Sequence, residues 1–129
     1  MEPSVELREL TKQLAQAVGA GDVAFLARHT SRQPGVAFLG TDPDEWWTDL
    51  AGLRRALEGQ VAAGVEVVPG EPVAYQAGDR ALRFRIGERE QPFRMSMVYR
   101  REEGVWRMVH FHSSLGVPND AALGVTLPD

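Results

Sequence analysis

Val98-Tyr99-Arg100-Arg101-Glu102-Glu103-Gly104-Val105-Trp106-Arg107-Met108-Val109-His110-Phe111-His112-Ser113-Ser114 reads as two extended segments joined by a tight turn. Glu102-Glu103-Gly104 has the length and the glycine that a hairpin connection needs. In the second segment, period-2 alternation puts Trp106, Met108, His110 and His112 on one face and Val109, Phe111 and Ser113 on the other. Apolar residues occur on both. A solvated antiparallel sheet separates apolar from polar more cleanly than this, so each face needs a cover.

Working outward from that hairpin, the same period-2 pattern begins near Val65 and gives strands near 65–76, 80–88, 92–101 and 105–114. Gly78-Asp79 and Glu88-Arg89-Glu90 are the other turn segments, so the strands are expected to pair antiparallel and in order. Strand 80–88 sets Leu82, Phe84 and Ile86 against Arg83 and Arg85. The first half of the chain has a helical period. Ser4 caps a helix carrying Val5, Leu7, Leu10, Leu14, Ala17 and Val18 and ending at Gly19. A second helix runs from Gly21-Asp22 through Val23, Phe25, Leu26 and His29 and is broken at Ser31 and Pro34-Gly35. Val36–Leu39 reads as a buried strand. Asp42 and Pro43 open a third helix that carries Trp46, Trp47, Leu50, Leu53, Leu57 and Val61 and fades at Gly64. Residues 116–129, with Pro118, Gly124 and Pro128, are expected to form an irregular C-terminal arm.

The order of elements predicts an α+β fold, three helices packed on a curved antiparallel sheet. The helices can cover one face of the sheet. A second copy of the chain is the simplest cover for the other, which predicts a homodimer through the sheet face that buries Phe84, Met108 and His110 or their neighbours.

Composition narrows the class of protein. The 129 residues suit one domain, expected to span 1–129, with 43% hydrophobic and 25% charged residues. There is no cysteine, hence no disulfide, thiolate metal site or cysteine nucleophile. A net charge of -4 spread along the chain gives no footprint for nucleic acid or an anionic membrane. No apolar run reaches membrane-spanning length, and Met1-Glu2-Pro3-Ser4 does not begin a targeting segment. The expectation is a cytoplasmic protein. Lys12 is the only lysine, an arginine preference that points weakly to a bacterial source.

Two segments carry a family resemblance. Gly40-Thr41-Asp42-Pro43-Asp44-Glu45-Trp46-Trp47-Thr48 resembles the strand-to-helix junction of SnoaL-like domain proteins, and Val98–Ser114 resembles their final hairpin. The hairpin is also similar to the end of the association domain of calcium/calmodulin-dependent protein kinase. The resemblance is to the nuclear transport factor 2-like superfamily, and it implies a cone whose concave sheet face and helices enclose a pocket. It further implies that Arg85, Met97, Tyr99, Phe111 and Ser113 point into that pocket and that the opposite sheet face is the dimer interface.

Candidate site residues follow from both readings. Arg85, the one basic residue at those pocket positions, would orient an anionic or carbonyl group on a mostly apolar ligand, or else form a structural ion pair with Asp49, Asp42 or Glu66. Of Trp46 and Trp47, adjacent on the expected helix, one enters the core and the other lines the pocket mouth, or both pack in the core. His29 with Asp42 or Asp49 is the candidate set for the proton transfer that cyclases and isomerases of this superfamily perform; the alternative is a helix-terminal histidine facing solvent. His110 and His112 share a face but lack further ligands at metal spacing, so no metal is expected. No cofactor motif is present. The leading expectation is therefore a small-molecule-binding cone, with a cyclase or isomerase and a dimeric interaction module without ligand as alternatives.

Overall fold

The structure is a computed structural model and describes residues 3–68, 81–86 and 89–124, with side chains described outside 66–92 and 119. Helix α1 (Val5–Ala20) starts where the Ser4 hydroxyl accepts the Leu7 amide at 3.2 Å, and it closes on Gly21 in the left-handed conformation. Its buried face is Leu10, Leu14, Ala15 and Ala17. Helix α2 (Val23–Arg28) is capped by Asp22, which accepts the Phe25 amide at 3.0 Å. Strand β1 spans Ala37–Leu39.

The next segment differs from the helix that the sequence predicts. Trp46–Trp47 form a short strand, β2, antiparallel to β1, with Phe38 opposite Trp47 and Leu39 opposite Trp46. Helix α3 (Leu50–Ala62) begins only after Asp49, whose carboxylate accepts the Gly52 amide at 2.6 Å. The physical reason is local. Asp42 is engaged within its own turn, accepting the Asp44 amide at 3.0 Å, so it does not cap a helix. Asp49 supplies an alternative cap, and the paired tryptophans fit a pleated strand.

Strands β3 (Glu66–Val68), β4 (Ala81–Ile86), β5 (Arg89–Glu102) and β6 (Val105–Leu115) pair antiparallel and in sequence, as expected. Ile86 pairs with Arg89, so Arg89 and Glu90 belong to β5 rather than to a turn; Gly78-Asp79 lies outside the described residues. The turn between β5 and β6 is Glu103-Gly104, with φ of 50° and 78°, the left-handed pair that a two-residue hairpin uses. The full order is β2-β1-β6-β5-β4-β3, and β1 runs parallel to β6. The sheet is therefore mixed where a wholly antiparallel one was expected. Helix α4 (Asn119–Leu123) occupies part of the tail read as irregular.

A β-bulge overturns part of the face assignment. Val98 pairs with His110 but Tyr99 pairs with Met108, leaving Val109 as the extra residue. Beyond the bulge, parity on β6 reverses. Phe111 and Ser113 face inward as predicted, and Met108 joins them at 2% exposure instead of facing outward with His110. Met108 is thus a residue of the chain's own core and not of a dimer interface. That core groups Leu10 and Leu14 of α1, Leu26 of α2, Phe38, Leu53 and Leu57 of α3, Met108 and Phe111. Phe38 and Phe111 stack with ring centres 5.4 Å apart.

A polar network pins the far end of the hairpin. Buried Ser31 donates its hydroxyl to Glu102 at 2.7 Å, while Arg100 Nε donates to the same oxygen at 3.0 Å. Arg107 approaches the other oxygen at 3.6 Å. The Ser31 hydroxyl first, and then Arg100, hold the Glu102 carboxyl below the usual carboxylate range. A depressed folded pKa contributes stability that is complete above the unfolded value of about 4.3 and is lost as pH falls through the folded value. Glu102→Gln is therefore expected to lower Tm at neutral pH and to flatten its fall as pH drops below the unfolded value of about 4.3. Parallel Tm-against-pH curves for the two proteins would contradict this.

Candidate functional site

Between α1, α3 and the concave face of the sheet lies a cavity of about 80 Å³. Its walls are apolar: Leu14 and Val18 of α1, Leu53 and Leu57 of α3, and Phe93, Met95, Met97, Met108 and Phe111 of the sheet. Phe93, Met95 and Met97 of β5 share the inward face with Phe111 and Ser113 of β6, because Met95 pairs with Ser113 and Met97 with Phe111. Glu45, Trp47, Ala56 and Gln60 also line an open groove of about 440 Å³ that includes Arg55 and Val65. The polar members of the cavity wall are Thr41, Glu45, Gln60 and Ser113.

Glu45 is fixed by its own loop. One carboxylate oxygen accepts the amides of Thr41 at 2.8 Å and Asp42 at 3.1 Å. Ser113 is 4% exposed, and its hydroxyl makes no hydrogen bond to the described residues.

Of the predicted ligand-binding residues, Trp47, Met97, Phe111 and Ser113 line the cavity. Trp46 is on the other side of β2 and 64% exposed, since neighbours on a strand face opposite ways. Tyr99 lies beyond the cavity wall. Its hydroxyl is 2.8 Å from the Thr11 hydroxyl and 3.0 Å from Met97 Sδ. Burial pushes its phenol up to about 12, against the opposing effect of the Thr11 hydrogen bond. Arg85 stands on β4 at the register position between Glu66 and Glu90; its side chain lies outside the described residues, as does that of Phe84.

The three proton-transfer candidates are separate from the cavity and from one another. His29 Nδ1 is 3.0 Å from the Trp106 carbonyl, and its ring packs against Phe25 at 4.6 Å. Asp42 is in the loop before β2 and Asp49 caps α3, both exposed. His110 Nδ1 is 2.7 Å from the Ala37 carbonyl, and His112 is exposed. Among the described residues no three His, Cys, Asp or Glu side chains come together as a metal group, and no helix is long and apolar enough to cross a membrane.

Sequence reasoning missed Glu45, Gln60 and Met95. Met95 was accessible, since it stands two residues before Met97 and must share its face. Glu45 falls in the segment expected to open the third helix, whereas it precedes β2 in the structure.

The profile of the SnoaL-like domain family matches residues 7–118. No curated protein matches significantly. Among solved structures, a nuclear transport factor 2 superfamily protein of Salmonella enterica superposes with a TM-score of 0.72 at 15% identity, covering 93% of this chain and 95% of the other. A chain of Thiobacillus denitrificans named as a calcium/calmodulin-dependent protein kinase type II association domain gives 0.64 at 20% identity, covering 88% and 95%. The epoxide hydrolase/cyclase-like enzyme SalBIII, with a role in pyran ring formation in the polyether salinomycin, gives 0.61 at 16% identity, covering 84% and 89%. At these identities the likeness is one of fold, the cone-shaped nuclear transport factor 2-like α+β architecture.

Proposed function

Because the chain belongs to the SnoaL-like domain family, we propose that it binds a small, mostly apolar molecule in the cavity under its sheet. The observation that carries this reading is an apolar chamber sharing Glu45, Trp47, Ala56 and Gln60 with an open groove. The chamber alone is smaller than the roughly 300–1,000 Å³ of ordinary ligand sites. It takes one end of a ligand while the groove takes the rest, and three methionines in its wall adapt their rotamers to the shape of the guest. A cyclase-type activity, as in the cyclase-like SalBIII, would need an acid or base at the chamber; His29, Asp42 and Asp49 do not line it, whereas the carboxylate of Glu45 does. Binding is therefore the reading favoured over proton transfer by those residues.

A thermal-shift screen of small aliphatic and aromatic compounds tests the proposal. Ala56 lines both chamber and groove, so Ala56→Phe is expected to block entry and abolish ligand-induced shifts without lowering the Tm of the free protein. Undiminished shifts in that variant would place the ligand elsewhere. An anionic or carbonyl end on the ligand is the part of the reading that depends on Arg85. Equal responses of wild type and Arg85→Ala to carboxylic acids would remove it. The proposed partner is a second copy of the chain on the outer sheet face, where Val98 is 49% exposed beside His110.

A further inference from the structure

The parallel register pairs Phe38 with Phe111 and Leu39 with His112. Carried one residue on, it brings Gly40 beside Ser113. The hairpin register pairs Leu39 with Trp46, and the Gly40 amide donates to the Glu45 carbonyl at 2.8 Å. Glu45, Gly40 and Ser113 therefore form one row across three strands, on the face that lines the cavity. A methyl group added at Gly40 would stand against Glu45 Oε2 and 2.7 Å from its Cβ. The carboxylate thus lies across the space that the missing side chain leaves free. That places it about one strand spacing, close to 5 Å, from the strand of Ser113. Both side chains line the same cavity.

The chemistry of this row is incomplete by itself. Glu45 Oε2 is occupied by two backbone amides, while Oε1 makes no hydrogen bond among the described residues. The Ser113 hydroxyl, likewise without a hydrogen bond among the described residues, lines the same cavity. We infer that Glu45 and Ser113, separated by Gly40, are the polar pole of the pocket and select a ligand whose apolar body ends in a hydrogen-bond-donating group, an alcohol hydroxyl or a protonated amine. A hydroxyl donates to Glu45 and accepts from Ser113. An ammonium donates to both.

The assignment rests on the pocket proposal above, and the test separates the two. Isopentyl alcohol, isopentylamine and isopentyl methyl ether share an apolar body, and only the first two carry a donor. In NMR titrations the better of the alcohol and the amine is expected to bind wild type about tenfold tighter than the ether, the scale of a hydrogen bond to a charged group. Glu45→Gln, which keeps an oxygen for the loop amides, is expected to abolish any advantage of the amine. Ser113→Ala is expected to reduce alcohol binding about threefold, leave the ether unchanged, and hold the Tm of the free protein because the hydroxyl makes no hydrogen bond to the described residues. A merely structural serine would instead lose Tm and leave selectivity intact. Equal binding of all three probes to wild type, blocked by Ala56→Phe, would overturn the polar pole and keep the pocket. No binding by any probe would overturn both.

Discussion

Phe38→Ala is expected to destabilise the protein by about 3–5 kcal/mol, the range for truncating a fully buried phenylalanine. Phe38 is 0% exposed and sits at the centre of the β2-β1-β6 junction, opposite Trp47 on one side and Phe111 on the other. Its ring stacks on Phe111 and belongs to the same core as Leu14 and Leu53 of the helices. Removing it deletes buried area and leaves a void that three short elements cannot close without breaking their register. For a chain of this size each kcal/mol moves Tm by roughly 3–6 °C, so the loss is readable by heat or urea. Phe38→Leu is expected to cost much less, because most of the volume is kept. A urea midpoint for Phe38→Ala close to wild type would mean that β1 is not the keystone of this junction.

Met108→Ala is expected to cost about 2–5 kcal/mol, and the loss should not depend on protein concentration. The two placements of Met108 differ in that second property. On the outer face, as strict alternation has it, Met108 would be an interface residue, and its removal would change a dimer equilibrium and give a Tm that varies with concentration. In the core, beyond the bulge at Val109, it loses contacts within one chain. Urea midpoints measured over a hundredfold range of concentration decide between them. The proposed dimer is tested at the residue that does face outward: Val98→Glu should shift sedimentation toward a single chain. If wild type itself sediments as a single chain at micromolar concentration, the dimer proposal fails.

The site was partly legible. Period-2 reading grouped Phe111 and Ser113 on one face, and the family resemblance turned that face, with Met97, toward a pocket; all three residues line the cavity. Trp47 was expected at the pocket for a different reason, as part of a helix that begins only at Leu50. The same alternation put Met108 on the wrong side, because a single extra residue reverses every assignment beyond it and period-2 counting has no term for it. The proton-transfer set of His29, Asp42 and Asp49 was a list of suitable side chains without a geometry. In the fold, His29 is engaged with the Trp106 carbonyl, Asp42 with its own turn and Asp49 with the cap of α3.

Most elements can be read from short stretches of chain: α1 from its Ser4 cap and apolar spacing, the β3–β6 meander from its alternation, and the tight turn at Glu103-Gly104. These are local signals, since each depends on residues within a few positions of one another. The tertiary structure decided the rest. Whether Asp42 or Asp49 starts α3 depended on Trp46–Trp47 finding β1 as a partner, a pairing that propensity does not weigh against a helical alternative. Parallel pairing of β1 with β6 joins residues more than seventy positions apart, so no window of sequence contains it. The row of Glu45, Gly40 and Ser113 exists only because that pairing brings three strands into one register.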